Sequence, residues 1–76
     1  MIKAKTFKTP EGKYVVKARF LFFWWRAVDV EVLVYHPNNR VVVPKYTMKF
    51  ISESKANHFS SEYAASFFLA EVKSLV

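Results

Sequence analysis

Residues 5–17 read KTFKTPEGKYVVK, and this stretch predicts a tight turn between two strands. Pro10 presets the φ angle required at the second position of a type I turn, and Gly12 can take the left-handed conformation that closes a three-residue hairpin loop. Apolar and polar residues alternate on both sides of the turn, which is the period of a half-buried strand. The stretch therefore predicts a β-hairpin whose loop is residues 10–12.

The alternation continues as far as residue 51, in a segment rich in Val, Phe, Tyr and Thr. Residues 36–40 (HPNNR) indicate a second turn, because Pro cannot donate to a ladder and Asn tolerates positive φ. A break near residues 25–27 contains no Gly, Pro or Asn, and we infer it only because a strand from 13 to 35 would exceed the usual length of about 3–10 residues. One long, bent strand is the alternative there. The predicted strands are about 2–9, 13–24, 28–36 and 40–51.

From about residue 57 to 75 the apolar period becomes that of a helix, with Ser and Asn available as caps and Glu62 placed to oppose the helix dipole. The chain has 76 residues, is 53% hydrophobic and contains no Cys, so packing rather than disulfide bonds must stabilise it. We expect one α+β domain over residues 1–76. In it a four-stranded antiparallel meander carries the C-terminal helix on one face, in the order ββββα.

Three-residue loops at 10–12, 25–27 and 37–39 would give the four strands two consistent faces. One face is apolar and is predicted to form the core beneath the helix. Its members are Ile2, Ala4, Val16, Ala18, Phe20, Phe22, Trp24, Val28, Val30, Val32, Val34, Val42, Tyr46, Met48 and Phe50.

The opposite face of the sheet has large apolar side chains but no second layer to cover them. Exposed apolar patches of this extent favour association, so we expect a protein partner or a second copy of the chain to bury them. Trp25 and Tyr35 are the expected energetic anchors, because aromatic residues dominate binding energy at interfaces. The predicted partner interface consists of Leu21, Phe23, Trp25, Leu33, Tyr35, Val41 and Val43.

Basic residues give the chain a formal charge of +6, and most of the excess lies before residue 27, where Glu11 is the only acid. In the first hairpin, the register places like charges side by side, which costs stability unless solvent, salt or an anion offsets it. Phe7 and Tyr35 flank these cations, and nucleic-acid bases stack on such rings. The predicted anion or nucleic-acid patch is Lys3, Lys5, Lys17 and Arg19. Lysines that keep edge strands from aggregating are the alternative explanation.

The predicted helix carries more apolar residues than one buried stripe needs. One stripe, which includes Phe68 and Val72, suits the face that covers the sheet. A second stripe of Phe59, Tyr63 and Phe67 either packs beneath the end of the sheet or remains exposed as a ridge for a partner.

No arrangement of residues indicates catalysis or a cofactor. Asp29 and Glu31 share a strand face, but Lys45 is expected opposite Glu31 and Lys49 diagonal to Asp29, so that ion pairs account for both acids. The His, Ser and Gly residues match no metal-ligand spacing, nucleophile elbow or phosphate loop. We therefore expect no enzymatic activity, no metal or other cofactor, and no small-molecule substrate.

These features predict a small, non-enzymatic protein-interaction module that acts or self-associates through its open sheet face. Such a chain is of the kind that phages and mobile elements use to bind a host component. The alternative is a nucleic-acid-binding protein that uses the basic and aromatic residues of the same face. The N-terminus has no apolar signal core, and the apolar run at residues 20–25 is too short to span a bilayer, so we expect a cytoplasmic protein without membrane contact. From the apolar surface we expect a homo-oligomer or a complex with a protein partner.

Overall fold

A computed structural model describes residues 2–20, 24–35 and 43–75. The four strands form one antiparallel sheet in the order β1-β2-β3-β4, and one helix follows them, which confirms the predicted ββββα arrangement. The elements are β1 (Ile2–Lys8), β2 (Tyr14–Phe20), β3 (Arg26–Tyr35), β4 (Val43–Phe50), a short 3₁₀ helix (Glu53–Lys55) and α1 (Glu62–Ser74).

The first hairpin has the predicted turn and the predicted register. Gly12 has a φ of 81°, and its N–H donates to the carbonyl oxygen of Thr9 at 2.9 Å. The hydroxyl of Thr9 accepts from the N–H of Lys13 at 3.1 Å, which satisfies a second backbone donor within the loop. β1 and β2 then pair along their whole length, from Lys8 opposite Tyr14 to Ile2 opposite Phe20.

The predicted break at residues 25–27 is wrong, because Arg26 and Ala27 already belong to β3, and Trp24 lies outside the strands. β3 pairs with β2 only where Lys17 faces Ala27 and Ala18 faces Arg26. The β2–β3 connection is therefore longer than a three-residue loop. No Gly, Pro or Asn occurs near this connection, so turn-forming residues could not indicate where β2 ends and β3 begins.

The segment after β4 occupies the edge of β2 that β3 leaves free. Tyr14 and Phe59 exchange two backbone hydrogen bonds of 2.8 Å there. The N–H of Ile51 donates to the carbonyl oxygen of Ala27 at 2.9 Å, which instead continues the β3–β4 ladder by one position. This segment thus lies beside Tyr14, where β3 does not pair with β2.

The register of β3 and β4 is shifted by two residues from the predicted one. Asp29 lies opposite Lys49, and Glu31 lies opposite Thr47. An even shift leaves every side chain on its predicted face of the sheet. The predicted ion pairs are wrong, since Lys17–Glu53 is the salt bridge found within the described residues, and a carboxylate oxygen of Asp29 instead accepts the N–H of Val30 at 2.8 Å.

Helix α1 begins at Glu62 rather than near residue 57, because Phe59 is engaged with β2 and Ser61 provides the cap. The hydroxyl of Ser61 accepts the N–H of Ala64 at 3.1 Å. Packed on β1 and β2, α1 buries Val72 completely. The core cluster consists of Val16, Ala18, Val28 and Val72, bordered by Ile2, Ala4, Val30, Met48, Phe68 and Leu69.

The outer half of the β3–β4 hairpin lies beyond the helix. Val34 is 59% exposed there, and Trp24, which precedes β3, is 83% exposed, so neither end of this part of the predicted core face is core. Val32 and Tyr46 are each 50% exposed, because α1 does not extend over this part of the sheet. Phe22 and Val42 of that predicted face lie outside the described residues. The radius of gyration is 14.2 Å, against about 11 Å for a compact domain of this length, which reflects the projecting hairpin.

Candidate functional site

The sheet face opposite α1 carries a cluster that combines cations with aromatic rings. Lys3 lies opposite Arg19, and Lys5 lies opposite Lys17, so two cross-strand pairs of like charge stand next to each other on β1 and β2. This is the β1–β2 register that the sequence predicted. We call the group the basic–aromatic cluster, and its members are Lys3, Lys5, Lys17 and Arg19 together with Phe7 and Trp25.

The two rings lie among the cations and contact each other. Phe7 and Trp25 meet edge to face, with centroids 5.2 Å apart and an interplanar angle of 62°. The ammonium of Lys5 is 4.9 Å from the centroid of Phe7 and 5.0 Å from that of Trp25. Both distances lie within the range of about 6 Å in which a ring attracts a cation. The ammonium of Lys5 thus lies within cation–π range of both rings.

The remaining cations differ in how far they are neutralised. Lys17 lies 5.3 Å from the ring of Phe7, and its ammonium is 3.1 Å from a carboxylate oxygen of Glu53. The guanidinium of Arg19 lies 5.1 Å from the ring of Trp25. Within the described ranges neither Arg19 nor Lys3 has an acidic partner. Positive charge therefore remains in excess across the cluster.

One atom of Arg19 lacks a hydrogen-bond partner. Its Nε is buried and makes no hydrogen bond with any residue that the structure describes. A buried donor left without an acceptor costs about 1–3 kcal/mol.

The position of Trp25 could not be deduced from the predicted register. It immediately precedes Arg26, which pairs with Ala18, and this short ladder brings the indole next to Arg19. The sequence interpretation placed Trp25 in the apolar partner interface and chose Tyr35 as a flanking ring of the patch. Tyr35 is the last residue of β3, at the far end of the hairpin from the cations. The ring beside the cations, which was expected to be that of Tyr35, is therefore that of Trp25. A hollow of about 230 Å³ lies beside Trp25, between the indole and residues 51–53.

The predicted partner interface is not assembled as one group by the described residues. Leu21, Phe23 and Val41 lie outside the described residues, as do the side chains of Tyr35 and Val43. Leu33 is 47% exposed on the β3–β4 hairpin, whereas Trp25 lies in the basic–aromatic cluster. Leu33 and Trp25, the two predicted interface residues whose side chains are described, therefore lie in different parts of the sheet.

A different apolar surface is exposed, and it lies on the helix side of the β3–β4 hairpin. There Val30 faces Met48, Val32 faces Tyr46, and Val34 faces Pro44. We call these three cross-strand pairs the apolar ladder.

A groove of about 350 Å³ lies at the base of the apolar ladder. Helix-side residues of both hairpins and Trp24 contribute to it, and among the described lining residues Arg26 is the charged one. The lining residues are Ile2, Phe20, Trp24, Arg26 and Phe50. The ladder and the groove together form an extended surface that α1 leaves uncovered.

The predicted second stripe of the helix is divided between the interior and the surface. Phe59 lies before α1, is half-buried and packs on Phe68 with centroids 5.6 Å apart, so its assignment to a helical ridge is wrong. Tyr63 and Phe67 are 75% and 62% exposed and contact each other edge to face at 5.0 Å. Only these two residues form an exposed ridge.

Within the part of the chain that the structure describes, no three His, Asp or Glu residues are grouped as ligands for a metal ion. No helix in those ranges combines the length and the apolar character needed to cross a membrane. Comparisons with protein-family models, with curated proteins and with solved structures found no match. Function must therefore be inferred from the side chains themselves.

Proposed function

We propose that this protein binds single-stranded nucleic acid through the basic–aromatic cluster. The observation that carries the proposal is the pair of cross-strand like-charge contacts, Lys3 with Arg19 and Lys5 with Lys17, packed against two aromatic rings. A row of phosphates offsets such repulsion, and bases stack on such rings.

Protection of a sheet edge does not account for the whole cluster. Lysines on an edge strand discourage pairing with another chain, and this explanation suits Lys3 and Lys5 on β1. β2, however, lies between β1 and β3, and Lys17 pairs with Lys5 on one side and with Ala27 on the other, so Lys17 protects no edge. Cations on an interior strand, facing those of the edge strand, favour an anionic ligand.

The two kinds of group have separate roles in the proposed complex. Lys3, Lys5 and Arg19 contact phosphates, since none of them has an acidic partner within the described residues. Lys17 contributes less, because Glu53 already neutralises it. Trp25 stacks on a base that enters the hollow beside residues 51–53. Each stacked base is worth about 1–3 kcal/mol and shows little sequence preference.

Fluorescence anisotropy with a labelled, mixed-sequence single strand, measured over a series of salt concentrations, tests the proposal. If three or four phosphates are neutralised, the logarithm of the binding constant falls against the logarithm of the salt concentration with a slope of about −2 to −3. Lys5→Ala and Arg19→Ala should each weaken binding and reduce the slope by about 0.7. Glu53→Gln should tighten binding, because it frees Lys17.

Lys73→Ala is the matched control, since Lys73 is an exposed cation in the last turn of α1, on the opposite side of the sheet. It removes the same charge from the molecule and should leave the slope unchanged. Loss of affinity equal to that of Lys5→Ala would show attraction by net charge alone. Absence of binding at low salt would reject the proposal.

Protein binding is a second candidate function, and the exposed apolar ladder favours it. In this case the chain is a non-enzymatic interaction module, such as a phage or mobile-element protein that captures a host component. Its binding would depend weakly on salt and would be lost on changing Tyr46 rather than Lys5. A salt series with the oligonucleotide therefore separates the two candidates.

A further inference from the structure

We infer that two copies of this chain associate face to face through their apolar ladders. This inference goes beyond the proposed function and uses the other face of the sheet. It starts from an unbroken series of uncharged pairs, which runs from Val28 opposite Phe50 in the core to Val34 opposite Pro44 near the end of the hairpin.

The outer half of the β3–β4 hairpin has no second layer, and this favours another sheet as its binding partner. α1 supplies the second layer for β1 and β2, while the outer half of the β3–β4 hairpin has none. A sheet whose apolar face is exposed is stable when another sheet packs against it at about 10 Å. The same ladder on a second copy provides such a layer, and a two-fold axis lets each ladder cover the other.

The exposed area accounts for more than half of what each partner buries in a standard interface. Four aromatic residues of this surface are 38–83% exposed, namely Phe20, Trp24, Tyr46 and Phe50. If a whole aromatic side chain offers about 200 Å², together they leave on the order of 400 Å² in solvent. Val32 and Val34, each at least half exposed, add to this area. Standard interfaces bury about 800 Å² on each partner, so the ladder and the groove supply more than half of one.

Charge favours this face over the others. A chain with a formal charge of +6 repels its own copies, and the repulsion is strongest where the basic–aromatic cluster lies. On the ladder face of β3 and β4 the charged residue is Arg26, which lies over the ring of Phe50 at 5.4 Å at the rim of the groove. Two copies can therefore meet here without bringing their lysines together.

The proposed dimer has a consequence for nucleic-acid binding. Packing the ladder faces together leaves both basic–aromatic clusters on the outer surfaces, since the clusters lie on the opposite side of the sheet. One dimer then offers two sites, and a strand long enough to reach both gains affinity by bivalent attachment.

Two substitutions on neighbouring residues test the inference. Val32 and Leu33 are 50% and 47% exposed and point to opposite faces of β3. In light scattering and sedimentation at tens of micromolar protein, the unmodified chain should have twice the monomer mass, and high salt should not dissociate it. Val32→Glu should give monomers, because it places two carboxylates in the shared apolar layer, whereas Leu33→Glu should remain dimeric.

Circular dichroism must show that both variants are folded, and their mass is then decisive. A monomeric unmodified chain at these concentrations would overturn the inference. Dissociation by Leu33→Glu, with Val32→Glu still dimeric, would overturn it as well and place the interface on the opposite face. Val32→Glu should still bind a short oligonucleotide with the affinity of a single site. The mass measurement thus tests the dimer, and the oligonucleotide affinity tests the nucleic-acid proposal independently.

Discussion

The two hairpins of this sheet have the same alternating sequence pattern but different surroundings. In the β1–β2 hairpin the helix-side residues Val16 and Ala18 are buried beneath α1, whereas in the β3–β4 hairpin Val32 and Val34 are at least half exposed. A helix is about 10 Å wide and strands are about 4.8 Å apart, so one helix covers roughly two strands. A chain with four strands and one helix must leave half of one sheet face open. This open half is where an interaction surface should be sought.

Truncation of valines on the same face of β3 should give the largest difference between the two environments. Val28 is 1% exposed and Val34 is 59% exposed. Val28→Ala removes packed methyl groups and should lower the free energy of unfolding by about 2 kcal/mol, whereas Val34→Ala should change it by less than about 0.5 kcal/mol. Urea denaturation at a protein concentration that gives monomers measures both. Equal losses would mean that the outer hairpin is packed after all.

The turn of the first hairpin should show a smaller effect. Gly12 has a φ of 81°, and no atom lies within 4 Å of the position that a Cβ would take. Gly12→Ala should therefore cost only the backbone strain, about 1–2 kcal/mol, without any clash. Gly12→Asn should cost less, because Asn tolerates this conformation. If Ala and Asn cost the same in thermal or urea unfolding, backbone conformation is not what makes Gly favourable in this loop.

The sequence predicted the first hairpin well because its turn chemistry is local. Pro10 and Gly12 determine the loop, the loop determines the register, and the register places Lys3 beside Arg19 and Lys5 beside Lys17. Within the described residues, the faces of β3 and β4 were also correct. This holds because the β3–β4 register differs by an even number of residues, and an even shift keeps the faces.

The rest depended on contacts between distant parts of the chain. The segment that ends at Phe59 pairs with Tyr14, which displaces β3 from β2 and delays the start of α1 to Glu62. No local pattern indicates this pairing. The same rearrangement moves Trp25 from the predicted apolar interface to the cations of β1 and β2, so the aromatic part of the candidate site could not be found by alternation alone.

The fluorescence of Trp25 tests the central claim most directly. The chain has two Trp residues, and Trp24 is 83% exposed in the groove on the other face, so Trp24→Phe leaves Trp25 as the only reporter. Addition of an unlabelled single-stranded oligonucleotide at low salt should quench the emission of Trp25, because a base stacks on the indole. High salt should reverse the quenching. Unchanged emission at oligonucleotide concentrations that saturate the anisotropy signal would contradict the claim that the basic–aromatic cluster is the binding site.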